Sequence, residues 1–427
     1  MISGDWAELN PDLLDEIAKF IYCYDDYVQF RAVCKHWNTS LPKIPNHHNP
    51  WLVLPLDGDK PKTLLSPLAE QKKIYHMILP EFQTTKLRGS SFGWLIGLGI
   101  DGTVRMLNPF NKKHIDLPPL STFPDVVSYN PDPEQQGHDH DDDDDDTEAE
   151  EEYTIRDIGD EENDSYTVSR DHMQMVHVKK VILSSAPPDD DGNNNNNKDF
   201  IAIALYGTSY SRLAFCRLGD KKWTDLPKSA TVPVPDIECA EYGYEDAIFH
   251  DGKIYVINFF AQLFEYDMKA TSYMVRLVEA PKPPDLYIPW ANHNVEYLIG
   301  CPDGGLLMVV RHLKFNMNPD PKAIPYPITS RFSIYKLKKG ATQWSRDFNL
   351  ESCVLVIGFN SSTWMSLGHT SPKGWGNRIL YTDNILDPQY SRTVGGHDIG
   401  IFNLEDGKFT QLFPNITLLS SPPIWLL

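Results

Sequence analysis

The sequence Ala247-Ile248-Phe249-His250-Asp251-Gly252-Lys253-Ile254-Tyr255-Val256-Ile257-Asn258 indicates the fold of most of this chain. Two runs rich in apolar and β-branched residues, 247–250 and 253–258, flank an Asp-Gly pair. An Asp-Gly pair between two such runs is a strong short-range signal of a β-hairpin. Both runs carry apolar side chains on both sides, which predicts strands that are covered on two faces.

The same pattern recurs along the chain, with tight turns at Asp101-Gly102 and Asp303-Gly304-Gly305. Short apolar runs group into units of four strands at a spacing of roughly 50–70 residues, which is typical of β-propeller blades such as kelch repeats. Roughly 24 predicted strands favour about six blades, and five or seven remain open. The early strand at 51–54 is expected to pair with the C-terminal run 424–427 and so to close the ring.

The N-terminal part has a different periodicity. Apolar residues recur there at helical spacings, and some of them lie on opposite faces of the predicted helices. They are Leu9, Leu13, Leu14, Ile17, Phe20, Ile21, Tyr24, Val28, Phe30, Val33, Cys34 and Trp37. A unit of about 40 residues buries only a small core, so the surplus predicts a partner protein. The simpler alternative is a helical hairpin that packs on the following domain.

This N-terminal sequence resembles an F-box. The resemblance is carried by Leu9-x-Pro11-x-Leu13-Leu14-x-x-Ile17 and by Phe30-Arg31-Ala32-Val33-Cys34-Lys35-x-Trp37. It implies docking on a Skp-type adaptor, and the implied docking residues are Leu9, Pro11, Leu13, Leu14, Ile17, Val33, Cys34 and Trp37. One departure is Asn10, which separates the Leu and Pro that are adjacent in the family, and which is also a good helix cap before Pro11.

The rest of the chain resembles the KIB-type β-propeller of plant F-box proteins. The matching segments are Phe92-Gly93-Trp94-Leu95, Asn108-Pro109-Phe110-Asn111, 246–255, 377–384 and 401–407. We therefore expect a multidomain fold that is α plus all-β, with a small helical F-box at 1–45 and a β-propeller at 92–427. Residues 46–91 are expected to hold a linker and the first strands.

Two segments stand outside the strand pattern. Residues 132–164 hold 18 Asp and Glu against one Arg, so the remainder of the chain carries a net charge of only −3 out of −20. We expect a disordered acidic insert at 130–165 and a second, Asp- and Asn-rich insert at 185–198, because such composition cannot bury a core. The acidic insert is a candidate attractor of basic partners.

Composition excludes several other classes. The chain has no basic stripe for nucleic acid, no apolar run long enough for a membrane span and no basic-apolar leader. Its six cysteines form no CxxC pair, which predicts reduced thiols in a cytoplasmic or nuclear protein without structural zinc. No Walker, GxSxG or HExxH motif is present, so we expect a non-catalytic protein without cofactors or metals.

The predicted function follows from the resemblance. The chain is expected to be a substrate-recognition subunit of a Skp-cullin-F-box ubiquitin ligase, bound to a cullin through the adaptor. The propeller would then bind an unknown target, with Trp290 in a proline-rich loop as a candidate target contact. A protein-interaction scaffold outside any ligase is the main alternative, and a propeller enzyme is a third.

Overall fold

A computed structural model describes the chain over residues 6–21, 24–42, 50–54, 62–65, 74–77, 79–80, 84–131, 152–156, 165–188, 200–207, 211–227, 243–268, 274–278, 294–316, 326–346, 350, 353–366, 375–383, 398–412 and 422–427. Within these ranges the N-terminal part is helical and almost all the rest is β-structure. None of the helices in these ranges combines the length and the apolar character that a membrane crossing needs.

The N-terminal helices are short. They are a 3-10 turn at Trp6–Glu8, α1 at Pro11–Ala18, α2 at Tyr24–Arg31 and α3 at Lys35–Ser40. A further 3-10 turn at Leu120–Thr122, a short helix α4 at Arg170–His172 and a π-helical turn at Met173–His177 lie between strands.

The strands follow the predicted order closely. They are β1 (Trp51–Leu54), β2 (Lys62–Leu65), β3 (Ile74–Met77), β4 (Lys86–Ser91), β5 (Trp94–Leu98), β6 (Val104–Leu107), β7 (His114–Leu117), β8 (Val126–Asn130), β9 (Glu152–Arg156), β10 (Ser165–Ser169), β11 (Val178–Leu183), β12 (Ile201–Tyr206), β13 (Arg212–Arg217), β14 (Thr224–Asp225), β15 (Tyr244–His250), β16 (Lys253–Asn258), β17 (Leu263–Asp267), β18 (Met274–Val278), β19 (Asn294–Gly300), β20 (Leu306–Asn316), β21 (Tyr326–Leu337), β22 (Cys353–Ile357), β23 (Thr363–Ser366), β24 (Arg378–Tyr381), β25 (Gly400–Asn403), β26 (Phe409–Gln411) and β27 (Ile424–Leu426).

These strands form seven sheets in the described part of the chain. In order of hydrogen bonding they are sheet 1 (β27-β1-β2-β3), sheet 2 (β4-β5-β6-β7), sheet 3 (β10-β9-β8), sheet 4 (β11-β12-β13-β14), sheet 5 (β15-β16-β17-β18), sheet 6 (β19-β20-β21) and sheet 7 (β23-β22-β24-β25-β26). The predicted hairpin is confirmed, because β15 and β16 pair antiparallel around Asp251 (φ 52°) and Gly252 (φ 77°). The predicted terminal pairing is also confirmed, because Leu52 of β1 lies opposite Trp425 of β27.

Hydrophobic clusters connect the sheets in a circle. Each cluster takes buried side chains from two neighbouring sheets of the ring, and the cluster between sheets 2 and 4 also includes side chains of sheet 3, so both faces of the ring sheets are covered. The pairs that mark the contacts are Val53 with Leu95 (sheets 1 and 2), Ile96 with Val181 (2 and 4), Ile203 with Val256 (4 and 5), Leu263 with Met308 (5 and 6), Val309 with Leu355 (6 and 7), and Val356 with Leu52 (7 and 1). The molecule is therefore a β-propeller whose ring closes on sheet 1.

Sheet 3 corrects one prediction. The sequence placed a single disordered insert over 130–165, but Glu152–Arg156 form a strand between β8 and β10. Tyr153 and Ile155 alternate with polar residues in this strand, and both are buried against sheets 2 and 4. The surrounding acidic composition concealed this short alternation. The rest of the acidic segment, 132–151 and 157–164, lies outside the described residues, as do 189–199 of the second insert.

Two further differences concern the edges of the predicted domains. The first strands expected within residues 46–91 are present, and they belong to sheets 1 and 2 of the ring, so the propeller itself begins at Trp51 and not at residue 92. The predicted strand at 342–346 is reduced to one bridge, between Lys336 and Ser345, in the part of sheet 6 that the structure describes.

The ring has two faces that carry different turns. On one face the N–H of Gly93 donates to the carbonyl of Leu427, and Trp51 lies opposite Leu426, so the first and last strands of the ring meet there. The turn at 251–252 lies on this face as well, because Lys339 Nζ in the turn after β21 reaches Asp251 Oδ2 at 2.6 Å. We call it the attachment face, since the chain from the helices arrives at Trp51.

The opposite face, here called the far face, carries the turns at 99–103 and 259–262. The N–H of Phe259 donates to the carbonyl of Gly243 at 3.2 Å, and Gly243 directly precedes β15. The innermost strands therefore begin on the far face and end on the attachment face. The long β20–β21 hairpin also turns on the far face, since β20 runs from the Asp303 turn of the attachment face towards it.

The centre of the ring is filled by the protein itself. Residues 358–362 leave sheet 7 and reach the innermost strands of the other sheets: the N–H of Ser361 donates to Ser90 O at 2.8 Å, and Ser362 Oγ lies 3.5 Å from Lys180 Nζ. The guanidinium of Arg88 lies over the ring of Phe359, with its Cζ atom 5.4 Å from the ring centroid. Four of these five residues are buried and Ser361 is half-buried, so this loop occupies the space that the inner strands enclose.

Buried charges hold this central loop. Lys180 Nζ donates to Asp246 Oδ1 at 2.6 Å, and Asp246 Oδ2 accepts the backbone N–H of Leu298 at 2.9 Å. Sheets 4, 5 and 6 therefore meet at one carboxylate. Burial lowers the pKa of Arg88 to about 9, and its guanidinium donates to backbone carbonyls such as Met175 O at 2.6 Å.

Candidate functional site

The three N-terminal helices enclose a small core of their own. Its buried members are Leu14, Ala18, Tyr27, Trp37 and Leu41. Leu14 and Ala18 are one turn apart on α1 and so share the face that points into this core. The unit therefore has an interior that is already filled by its own side chains.

Local capping explains why the helices begin where they do. Asn10 Oδ1 accepts the backbone N–H of Asp12 at 2.8 Å, and Pro11 occupies the first helical position, where no N–H is needed. The cap predicted for Asn10 is confirmed. Cys34 acts at α3 in the same way, because its Sγ accepts the N–H of Trp37 at 3.5 Å.

Side-chain hydrogen bonds to the backbone tie the helical unit together. Trp37 Nε1 donates to Trp6 O at 3.0 Å, His36 Nε2 lies 3.0 Å from Leu9 O, and Tyr27 OH donates to Pro42 O at 2.7 Å. Each bond satisfies a polar group that would otherwise be costly to bury. The position of the first turn relative to α3 is therefore fixed.

A set of apolar side chains remains exposed on this unit. We call it the apolar surface, and its members are Trp6, Leu13, Ile17, Phe20, Val28 and Val33. Leu13 is 53% exposed and Ile17 is 38% exposed, although both sit one position before the buried Leu14 and Ala18. Leu13 and Ile17 are one helical turn apart and present adjoining side chains to solvent.

The predicted docking residues divide into three groups in the structure. Pro11, Leu13, Ile17 and Val33 are exposed, and Val33 reaches 62%. Leu9 and Cys34 are half-buried at the edge of the unit. Leu14 and Trp37 are buried in its core, so they are placed to support the surface from beneath.

Sequence reasoning did not select Trp6, Phe20 and Val28 as docking residues. Phe20 could have been found, because it continues the spacing of Leu13 and Ile17 past the end of α1. Trp6 carries no periodic signal, since it lies in a separate turn that hydrogen bonds such as that from Trp37 Nε1 to Trp6 O place beside α3.

Charged groups border the apolar surface on α1. Lys19 contacts the carboxylates of Glu16 and Asp15, and the hydrogen bond with Glu16 raises the pKa of Lys19. Asp12 occupies the first turn, where a carboxylate favours the positive end of the helix. On α1, charged side chains therefore lie beside the exposed Leu13 and Ile17.

The propeller offers less to test. Trp290 lies outside the described residues, but the connection that contains it leaves Val278 and returns at Asn294, both on the far face.

In the described ranges, no three His, Cys, Asp or Glu side chains come close enough to hold a metal ion. Cys216, Cys301 and Cys353 are buried and form no disulfide in the described residues, and burial raises the pKa of Cys301 to about 11.

A small helical unit with exposed apolar side chains, followed by a propeller ring, defines a two-part protein. Comparison with known proteins gives the family. A family model described as KIB1-4 beta-propeller matches residues 64–403, and the chain therefore belongs to the KIB1-4 β-propeller family.

Relatives match over the helical unit as well as the propeller. F-box protein SKIP23 of Arabidopsis thaliana is 23% identical to this chain, and the alignment covers 99% of this chain and 95% of the relative. F-box protein At2g17036 of the same plant is 22% identical, again over 99% of this chain and 95% of the relative. The chain is thus similar to F-box proteins along nearly its whole length.

Proposed function

We propose that this protein is the substrate-recognition subunit of a Skp-cullin-F-box ubiquitin ligase. The helical unit would dock a Skp-type adaptor, and through it a cullin, while the propeller binds a target protein. The observation that carries this proposal is the exposure of Leu13, Ile17 and Val33 on a unit whose core is already complete. Similarity to proteins named F-box proteins supports it.

The burial of each side chain divides the proposed docking residues into direct contacts and supporting residues. Pro11, Leu13, Ile17 and Val33 are the direct contacts in this proposal, with Leu9 and Cys34 at the edge. Leu14 and Trp37 would keep α1 and α3 in position without touching the adaptor, because their side chains are buried.

The apolar contacts are sufficient to matter. Full burial of a Leu, Ile or Val side chain stabilises by about 1.5–3 kcal/mol, so the partly exposed Leu13 and Ile17 would each contribute about 1 kcal/mol. Removing both would therefore weaken adaptor binding by about 2 kcal/mol, or roughly 30-fold. A polar border around an apolar centre is the usual anatomy of such an interface.

For the propeller we infer six blades, made by sheets 1, 2, 4, 5, 6 and 7. Sheet 3 would be an addition to the blade connection between sheets 2 and 4. The propeller would do no bond chemistry itself and would raise the concentration of target lysines near the conjugating enzyme. Cys216 and Cys301, which are buried and outside any disulfide in the described residues, support a cytoplasmic or nuclear location, where cysteines stay reduced.

The test is co-purification of a Skp-type adaptor with the full-length protein. The variant Leu13→Ala with Ile17→Ala should lose most of the bound adaptor while its unfolding curve stays unchanged. Leu14 is left intact, because its replacement would unfold the helices and confuse the result. Val127→Ala is the matched control, since Val127 of sheet 3 is also 53% exposed.

The outcome also separates the two main functions. Retained adaptor in the double variant, or equal loss in the Val127→Ala control, would contradict the proposed docking surface. A wild-type protein that binds no Skp-type adaptor at all would instead support the interaction scaffold outside a ligase. An interaction scaffold would use the same propeller.

A further inference from the structure

The chain path places the helical unit near one face of the propeller. The helical unit ends at Pro42 and the ring begins at Trp51, and the intervening residues span at most about 30 Å when fully extended. The helical unit, and any adaptor on it, is therefore tethered beside the attachment face. The far face has no such neighbour in the described part of the chain.

A rigid turn on the far face displays an aromatic ring. Asn258 is fully buried, and its Oδ1 accepts the backbone N–H of Phe260 at 3.1 Å and of Gln262 at 2.8 Å. Its Nδ2 donates to Gln262 Oε1 at 2.8 Å. These bonds fix the turn, in which Ala261 adopts a φ of 57°.

Phe259 stands at the tip of this fixed turn and is 54% exposed. Its ring lies 5.5 Å from that of Phe260, in an edge-to-face arrangement. An aromatic side chain on a rigid backbone loses little conformational freedom when it binds, which makes it an efficient interface anchor. Nothing in the fold needs this ring to point into solvent.

The chemistry of the turn points to one kind of partner. Residues 258–262 are Asn-Phe-Phe-Ala-Gln and carry no charge. We propose that the far face is the target-docking surface and that Phe259 inserts into an apolar pocket of the target protein. This inference rests on the proposed function, in which the propeller binds a target protein. It places that target on the face of the propeller away from the adaptor.

The proposal has a matched control within the same ring. Phe92 is also 54% exposed and also sits in a tight turn, but it lies on the attachment face beside Leu427. Two equally exposed phenylalanines on opposite faces allow a comparison at constant chemistry.

The experiment uses the photo-crosslinking residue p-benzoylphenylalanine in the full-length protein. It replaces Phe259 in one version and Phe92 in the other, each expressed with the adaptor and irradiated in cells. Each protein that crosslinks at position 259 is then purified and its affinity measured for wild type, Phe259→Ala, Phe259→Tyr and Phe92→Ala. Adaptor co-purification is measured on the same samples.

The expected result is a non-adaptor protein that crosslinks at position 259 at least about ten-fold more than at position 92. Its affinity should fall at least about ten-fold in Phe259→Ala, recover in Phe259→Tyr and stay unchanged in Phe92→Ala. Because the contact is apolar, binding should persist at about 1 M salt, where charge interactions are screened beyond about 3 Å.

Three results would overturn the inference. They are crosslinking that favours position 92 or is equal at both positions, unchanged affinity in Phe259→Ala, and binding that disappears in high salt. The last result would indicate recognition through charge instead of through Phe259. Loss of adaptor binding in the wild type would contradict the proposed function, while the comparison of positions 259 and 92 would still decide where a partner docks.

Discussion

The carboxylate of Asp246 offers the sharpest test of how the ring is held together. It accepts hydrogen bonds from Lys180 of sheet 4 and from the backbone N–H of Leu298 in sheet 6, and it lies beside Ser362 of the central loop. The side chains of Asp246 and Lys180 are only 2% and 7% exposed. Replacing Asp246 by Ala would therefore leave two buried hydrogen-bond donors without this acceptor, Lys180 Nζ and the N–H of Leu298.

The magnitude follows from these two losses. Removing one partner of a buried ion pair costs about 3–5 kcal/mol, because the remaining charge is uncompensated. An unsatisfied buried N–H, here that of Leu298, costs about 1–3 kcal/mol more. The losses overlap, so we expect Asp246→Ala to lower the free energy of unfolding by about 4–6 kcal/mol, a large part of the usual 5–15 kcal/mol.

A second variant separates charge from shape. Lys180→Met combined with Asp246→Leu removes the stranded ammonium but leaves the Leu298 N–H without an acceptor. Its expected loss is therefore only about 1–3 kcal/mol, less than that of the single variant. Asp116→Ala is the surface control, since Asp116 pairs with Arg105 but is 55% exposed and should change stability by less than about 1 kcal/mol.

Urea unfolding of the full-length variants, followed by tryptophan fluorescence and circular dichroism, measures these differences. A loss below about 1 kcal/mol for Asp246→Ala would refute the argument, because an exposed pair behaves in that way. Equal losses for Asp246→Ala and the double variant would show that packing, and not the stranded charge, holds the centre.

Three further predictions concern pH, the helical core and a turn. Burial, with a contribution from Arg331, lowers the pKa of His312 to about 4, so His312 is protonated in the unfolded chain at a higher pH than in the folded protein. The free energy of unfolding should therefore fall as the pH drops from about 6.5 to 4. The urea midpoint of the His312→Gln variant should fall less over the same range. Leu14→Ala should cost about 2–5 kcal/mol within the helical unit, so amide exchange should rise in α1 and α3 but not in the strands; unchanged exchange would contradict the core described here. Phe92 has a φ of 51°, which Asn adopts more readily, so Phe92→Asn should raise the free energy of unfolding by about 0.5–1 kcal/mol, and a decrease would show that the ring of Phe92 stabilises the turn.

The ring was predictable because its signals are local. Asp-Gly turns between apolar runs predict hairpins directly. The apolar strands that begin at Trp51 and Ile424 would be open edges of the sheet, and pairing with each other removes those edges. The recurrence of four-stranded units along the chain then implies propeller blades. The hairpins and the blade spacing depend on neighbouring residues, so one sequence is enough to read them, whereas the pairing of β1 with β27 joins the two ends of the ring.

Other parts depend on contacts that a sequence does not display. Residues 358–362 look like an ordinary turn, and only the positions of Ser90, Lys180 and Asp246 in other sheets make them the central loop. Strand β9 was missed because its alternation is only five residues long and is surrounded by acidic residues. The buried Arg311–Asp398 pair, 2.6 Å apart, likewise joins residues far apart in the chain.

The docking residues show the same limit on a smaller scale. Helical spacing identified Leu13, Leu14 and Ile17 as apolar positions, but it gave no basis for deciding which of them a unit this small would bury. The hydrogen bond from Trp37 to Trp6 and the packing of Leu14 with Tyr27 settle that choice. The partner surface is therefore the part of the apolar pattern that the core does not use.

Hydrogen–deuterium exchange of the full-length protein, with and without a purified Skp-type adaptor, tests the central claim most directly. We predict that the adaptor slows exchange in peptides covering α1 and the start of α3, around Leu13, Ile17 and Val33, and leaves the propeller strands unchanged. Unchanged exchange in those helices, or protection confined to the propeller, would contradict the account.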